Sequence, residues 1–251
     1  MATSETGIIV APAPWMLKGR VWVFALSGLS QTSSFPAGFA AEHEAEVLTT
    51  GGEFIGGPGL VQIVSYSESP VGPYDELIYV PGRWKYKDGT VAHRITRIYV
   101  STQESTENGR RNWNIPKQVA DFSITTASNG STTIIVANPG SSTPFFHVTT
   151  TPVPVLSYIP IPFNTRMLGR HSMIVQPPLP AGVRAEEVST TQWAGLLPLM
   201  KGTMRLTSVK PELDGKVGDG EGYPAVVPWS VGGYMGDVIL DFGVPELSDD
   251  R

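Results

Sequence analysis

Residues 60–80 read LVQIVSYSESPVGPYDELIYV. Two runs rich in β-branched and aromatic residues, 60–66 and 76–80, flank a Ser-Pro-Val-Gly-Pro segment at 69–73, so the stretch predicts two strands and a turn. Working outward, the same signature recurs at 20–26 (RVWVFAL), 93–101 (HRITRIYVS) and 234–242. Runs at 122–126 and 132–137 bracket Asn129-Gly130, a pair that accepts the positive φ of a type I′ turn and therefore predicts a hairpin. With 27 glycines and 22 prolines in 251 residues, the chain has many turn points and few stretches where a helix survives. Two short helices are predicted. One spans 102–111 (TQESTENGRR), with Ser101 or Thr102 as N-cap and Glu104 in its first turn; the other spans 39–48 (FAAEHEAEVL). Segment 151–180 keeps apolar residues between its prolines and reads as edge strands and loops. The expectation is one mainly β (β-rich α+β) domain over residues 1–251, with few short helices.

Composition removes several classes of function. The net charge is −5 at pH 7 and the basic residues are scattered, which leaves no footprint for a phosphate backbone, so no nucleic-acid partner is expected. There is no cysteine, hence no thiolate nucleophile, disulfide or cysteine-ligated zinc. His43, His93, His147 and His171 are dispersed and do not form the two-histidine helical turn of zinc proteases, so no metal is expected. No run approaches the roughly 20 apolar residues that span a bilayer. Residues 1–7 (MATSETG) lack the basic and apolar regions of a signal peptide, and the expected location is cytoplasmic with no membrane partner. Residues 218–222 (GDGEG) are followed by Tyr-Pro rather than a helix and read as a surface turn, not a phosphate loop.

The chemically informative stretch is 109–122, GRRNWNIPKQVADF, in which Lys117 stands alone in an uncharged, partly apolar run. A lysine amine attacks a carbonyl only when neutral, and its ordinary pKa of about 10.4 must be lowered by burial or by a neighbouring cation. Trp113, Ile115, Pro116, Val119 and Phe122 are the residue types that desolvate an amine. The alternative is a strand-edge lysine reaching out to water. Glu76, at the start of the strand after the Pro-Gly-Pro turn, is a carboxylate suited to proton transfer beside such an amine; Glu68 is a second acid in the same segment. Arg20 opens an apolar strand, and its planar fork suits a substrate carboxylate.

Gly109-Arg110, a five-residue spacer and Pro116-Lys117 resemble the Schiff-base lysine segment of the acetoacetate decarboxylase family. Residues 69–76 (SPVGPYDE) are similar to that family's Ser-x-x-Gly-x-Tyr-x-Glu segment, and the 41 residues from Glu76 to Lys117 agree with its spacing. Gly19-Arg20 resembles the place of the family's substrate-binding arginine. The resemblance implies a strongly curved antiparallel sheet closing into a cone-like barrel, with Lys117 in an apolar cavity. It further implies that Lys117 forms an imine with a β-keto acid, that Glu76 orients or protonates near the reacting centre, and that Arg20 holds the carboxylate. No added cofactor is implied. The small-molecule partner is a keto acid or a larger polyketide-like substrate, with assembly into a homo-oligomer through sheet edges left open. Gln118 replaces a second lysine, Arg111 replaces an acid, and a further acid of the family finds only Val61 or Gln62. Aldol condensation, dehydration or cyclisation at the same lysine therefore stands beside decarboxylation, with a non-catalytic carrier of an apolar ligand as the third reading.

Overall fold

The fold is taken from a computed structural model, which describes residues 3–32 and 34–251. In chain order its strands begin with β1 (Trp15–Leu29), β2 (Glu53–Glu68), β3 (Tyr74–Val80), β4 (Arg83–Lys85), β5 (Val91–His93) and β6 (Arg97–Val100). After helix α1 (Ala45–Thr49), which lies between β1 and β2, helix α2 (Gln103–Trp113) links β6 to β7 (Lys117–Val119). There follow β8 (Asp121–Thr126), β9 (Thr132–Ala137), β10 (Pro144–Pro152), β11 (Ile161–Asn164) and β12 (Ile174–Gln176). The last four are β13 (Trp193–Leu196), β14 (Leu199–Pro211), β15 (Val231–Phe242) and β16 (Glu246–Ser248).

These strands form one mainly antiparallel sheet with the pairing path β16-β13-β12-β5-β4-β2-β1-β15-β14-β10-β9-β8, and β3, β6 and β7 branch from β2. The mainly β expectation with a large curved sheet is met. Among the described residues β16 and β8 do not pair with each other, so the path has two ends where the resemblance implied barrel closure. Two pairs are parallel, β6 with β7 and β5 with β12. The first follows from α2, since a helix between two strands returns the chain in the same direction.

Long central strands are buried on both faces, which explains their near-continuous apolar runs. Along β1, Trp15, Leu17 and Val21 enter one core with Val64, Ile78, Ile98 and Trp113. Trp22, Phe24 and Leu26 enter the other with Ile63, Leu77, Tyr79 and Phe146. Side chains alternate along a strand, so this parity decides which core each residue reaches.

Three local expectations are refined. The helix over 102–111 forms as α2, with Thr102 capping it by accepting from the Ser105 N–H at 3.3 Å. Segment 39–48 instead makes a 3-10 turn (Glu42–Glu44) followed by the short α1. The strand expected over 93–101 breaks at residues 94–96, because Arg94 turns inward to the carbonyls of Leu48, Thr50 and Gly51 and the Ile95 N–H bonds Gln176 Oε1. The 122–137 hairpin forms, but only Gly130 of its turn has positive φ, and its N–H closes on Ala127 C=O at 2.9 Å. The loop is thus a turn with a glycine bulge and not a type I′ turn.

Candidate active site

The site begins with register. On β2 and β3, Tyr66 lies opposite Tyr74, Val64 opposite Glu76, Gln62 opposite Ile78 and Leu60 opposite Val80. All eight face one side of the sheet, since cross-strand partners share a face and alternate residues along a strand do too. β6 continues that surface, with Val100 opposite Glu76 and Ile98 opposite both Ile78 and Lys117. Lys117, the first residue of β7, therefore arrives on the same face as Glu76.

Its nitrogen is well buried: Lys117 is 3% exposed and Glu76 2%. Lys117 Nζ lies 2.7 Å from Glu76 Oε2 and donates to Ser105 Oγ at 3.0 Å. Tyr66 OH donates to Glu76 Oε1 at 3.0 Å, and the Tyr74 ring centroid lies 5.1 Å from Nζ. Burial, and then the Glu76 charge, push the Tyr66 and Tyr74 phenols well above the ordinary tyrosine range, so both stay protonated as donors. The expectation of a strand-edge lysine reaching water does not apply.

The helix explains the Gly-Arg half of the motif. A Cβ on Gly109 would sit 2.6 Å from Lys117 Cδ, so a hydrogen is all that fits between α2 and the lysine stem. Arg110, fully buried, fixes the helix through Glu44, the Val188 carbonyl at 2.9 Å and the Pro180 carbonyl at 2.7 Å. Asn114 ends the helix in the left-handed region at φ 54° and donates to the Pro177 carbonyl at 3.0 Å. Ile115 and Pro116 then lead the chain directly into Lys117.

Around Nζ the open space is about 10 Å³, walled by Trp15, Leu17, Trp113, Ile115 and Phe242 besides the polar groups. Ile78, Ile95 and Phe242 also bound a second chamber of about 290 Å³, lined by Leu60, Gln62, Val80, His93, Leu199 and Met200 among others. The two spaces thus share a wall, which places the larger one next to the amine's surroundings.

The structure does not bring Arg20 together with Lys117 and Glu76. Arg20 pairs with Ser65, one residue out of step with the Val64–Glu76 row, and so projects to the opposite face. There its guanidinium lies 5.2 Å from the Trp22 ring centroid, in a separate cleft with Arg205 and Tyr234. Glu68 pairs with Lys18 at 2.9 Å on the surface. Sequence reasoning placed Trp113 beside the amine but missed Ser105, Tyr66, Trp15 and Phe242. Ser105 had a signal of its own, since it lies four residues before Gly109 and shares its helix face. Among the described residues there is no cluster of three or more His, Cys, Asp or Glu that could hold a metal, and no helix long and apolar enough to cross a membrane.

This architecture is the fold of acetoacetate decarboxylase. The chain superposes on the acetoacetate decarboxylase of Legionella pneumophila with a TM-score of 0.64, at 12% identity, over 96% of this chain and 89% of that one. A second solved structure, the enduracididine biosynthesis enzyme MppR complexed with the condensation product of pyruvate and imidazole 4-carboxaldehyde, gives a TM-score of 0.57 at 14% identity, over 98% and 93%. No family model matches the sequence. A curated relative, Protein NEOXANTHIN-DEFICIENT 1 of Oryza sativa subsp. japonica, is 30% identical over 114 residues, 45% of this chain. The match spans about a third (35%) of that protein's length.

Proposed function

We propose that the chain is a lysine-dependent enzyme of the acetoacetate decarboxylase type, forming an imine between Lys117 and a keto acid and releasing CO₂. The observation that carries this reading is the buried Lys117–Glu76 pair, 2.7 Å apart beside an apolar chamber. Attack requires a neutral amine, and Glu76 is within reach to take the lysine's proton. The carbonyl oxygen leaves as water once protonated. The bond to the carboxyl carbon then breaks, its electron pair flows to the iminium nitrogen, and CO₂ departs. Glu76 returns a proton to the enamine carbon, and water hydrolyses the imine to ketone and free lysine, so the water released on condensation is consumed at the end. Tyr66 steadies the carboxylate through its other oxygen. An apolar surrounding favours this reaction, because charge spread over the transition state loses less hydration than a localised carboxylate.

A second reading, condensation or dehydration at the same imine, is favoured by the 290 Å³ chamber and by the condensation product held in the structurally similar MppR. Borohydride reduction with labelled acetoacetate separates the possibilities. We expect a reduced adduct on the Lys117 peptide, none in Lys117→Arg, and release of labelled CO₂. An adduct that keeps its carboxylate points to the second reading. Absence of any adduct overturns both and leaves a carrier of an apolar ligand.

A further inference from the structure

Two glutamines lie buried near the site, and they differ in one respect. Gln176 is fully engaged, accepting from the Ile95 N–H at 3.1 Å and donating back to the Ile95 carbonyl at 3.0 Å. Gln62 is 9% exposed and lines the 290 Å³ chamber, and its side-chain amide makes no hydrogen bond among the described residues. Its amide atoms are not sealed off by protein, so they are free to meet whatever fills the chamber. Its position is defined: Gln62 opposes Ile78, one row beyond the Val64–Glu76 row, which puts it diagonal to Glu76 at about 7–8 Å between backbones. From the Glu76 row to the Leu60–Val80 row the surface runs four residues, about 13 Å. No Lys, Arg, Asp or Glu lines this chamber.

We infer that the substrate is a carbonyl compound with an extended apolar chain and a second oxygen function near the reacting carbonyl. Gln62 hydrogen-bonds that second oxygen, and the chain lies in the chamber along the Ile78–Val80 surface. An amide both donates and accepts, so it takes a keto, ester or carboxyl oxygen. The uncharged lining excludes an ionised tail. This inference rests on the imine reading above and specifies its substrate class.

The test is borohydride trapping at Lys117 with 3-oxobutanoate, 3-oxohexanoate and 3-oxooctanoate, each below saturation. Labelling is expected to rise about 4-fold per methylene, the gain for burying one such group. Labelling that stays level or falls from 3-oxobutanoate to 3-oxooctanoate overturns the inference while leaving the imine reading standing. Gln62→Leu is expected to cut labelling by 3-oxooctanoate about 10-fold, the size of one hydrogen bond to a buried group. Its effect on 2-nonanone, which lacks the second oxygen, is expected to be smaller; an equal loss for both compounds overturns the role of Gln62. Calorimetry of 2-nonanone on Lys117→Met reads the chamber without the imine. Saturable binding there supports the chamber even if trapping fails, and no binding overturns it.

Discussion

At the scale of single residues, the glycine beside Lys117 is the most exposed to test. Gly109→Ala puts a methyl group 2.6 Å from Lys117 Cδ, so the lysine must move off Glu76 or the helix must retreat. Overpacking of this kind costs about 1–3 kcal/mol. We expect a lower Tm together with at least 10-fold less borohydride-trapped adduct, the second effect separating a misplaced amine from general destabilisation. Glu76→Gln keeps the shape but removes the proton acceptor, and is expected to slow turnover by about 10²–10⁴ while the adduct still forms; single-turnover kinetics checks it. Lys117 and Glu76 were singled out by their neighbours and spacing, and the structure brings them to 2.7 Å of each other. Arg20 lies apart from them for a plain reason: residue type and proximity to a strand start say nothing about which face a side chain takes, and pairing with Ser65 turns it to the other one. Tyr66 was visible only as a strand residue and Gln62 only as the replacement of an acid, because their placement arises from β2–β3 register.

At the scale of elements, α2 is held by Arg110 and aims Ser105 and Gly109 at the lysine. Arg110→Ala leaves the buried Glu44 carboxylate with only His43 Nε2, 3.7 Å away, beside it, and about 3–5 kcal/mol of destabilisation is expected by denaturant unfolding. The 122–137 hairpin is a contrast. Gly130 has φ +82°, and an added Cβ would also meet Pro152 Cγ at 3.1 Å, so Gly130→Ala is expected to cost about 1–2 kcal/mol. Lys117 trapping should be unaffected, since this hairpin packs on the other core. Both elements were predicted from their caps and turn residues, which act locally. The turn type and the break at 94–96 were not, because each is decided by partners distant in sequence: Gln176 for Ile95, and Leu48 and Thr50 for Arg94.

At the scale of the molecule, the strands line a largely apolar chamber beside a paired amine and acid. His93, in that chamber's wall, has its imidazole held below the usual histidine range, chiefly by burial. The unfolded chain therefore takes up a proton near pH 6.5 that the folded one resists, and stability is expected to fall as pH drops below that value. Thermal melts from pH 7.5 to 5 check this, with His93→Gln flattening the profile. Strand content was readable from β-branched runs, whereas barrel closure was not, since it depends on whether the outermost strands meet. The ladder of Tyr74, Glu76, Ile78 and Val80 has one last consequence. Lengthening β3 by a single position between Tyr74 and Glu76 would hand the acid to the opposite core and bring Asp75 or Leu77 before the amine. Descendants of this chain can thus vary the 69–73 loop freely, while the strand itself tolerates insertions or deletions only in twos.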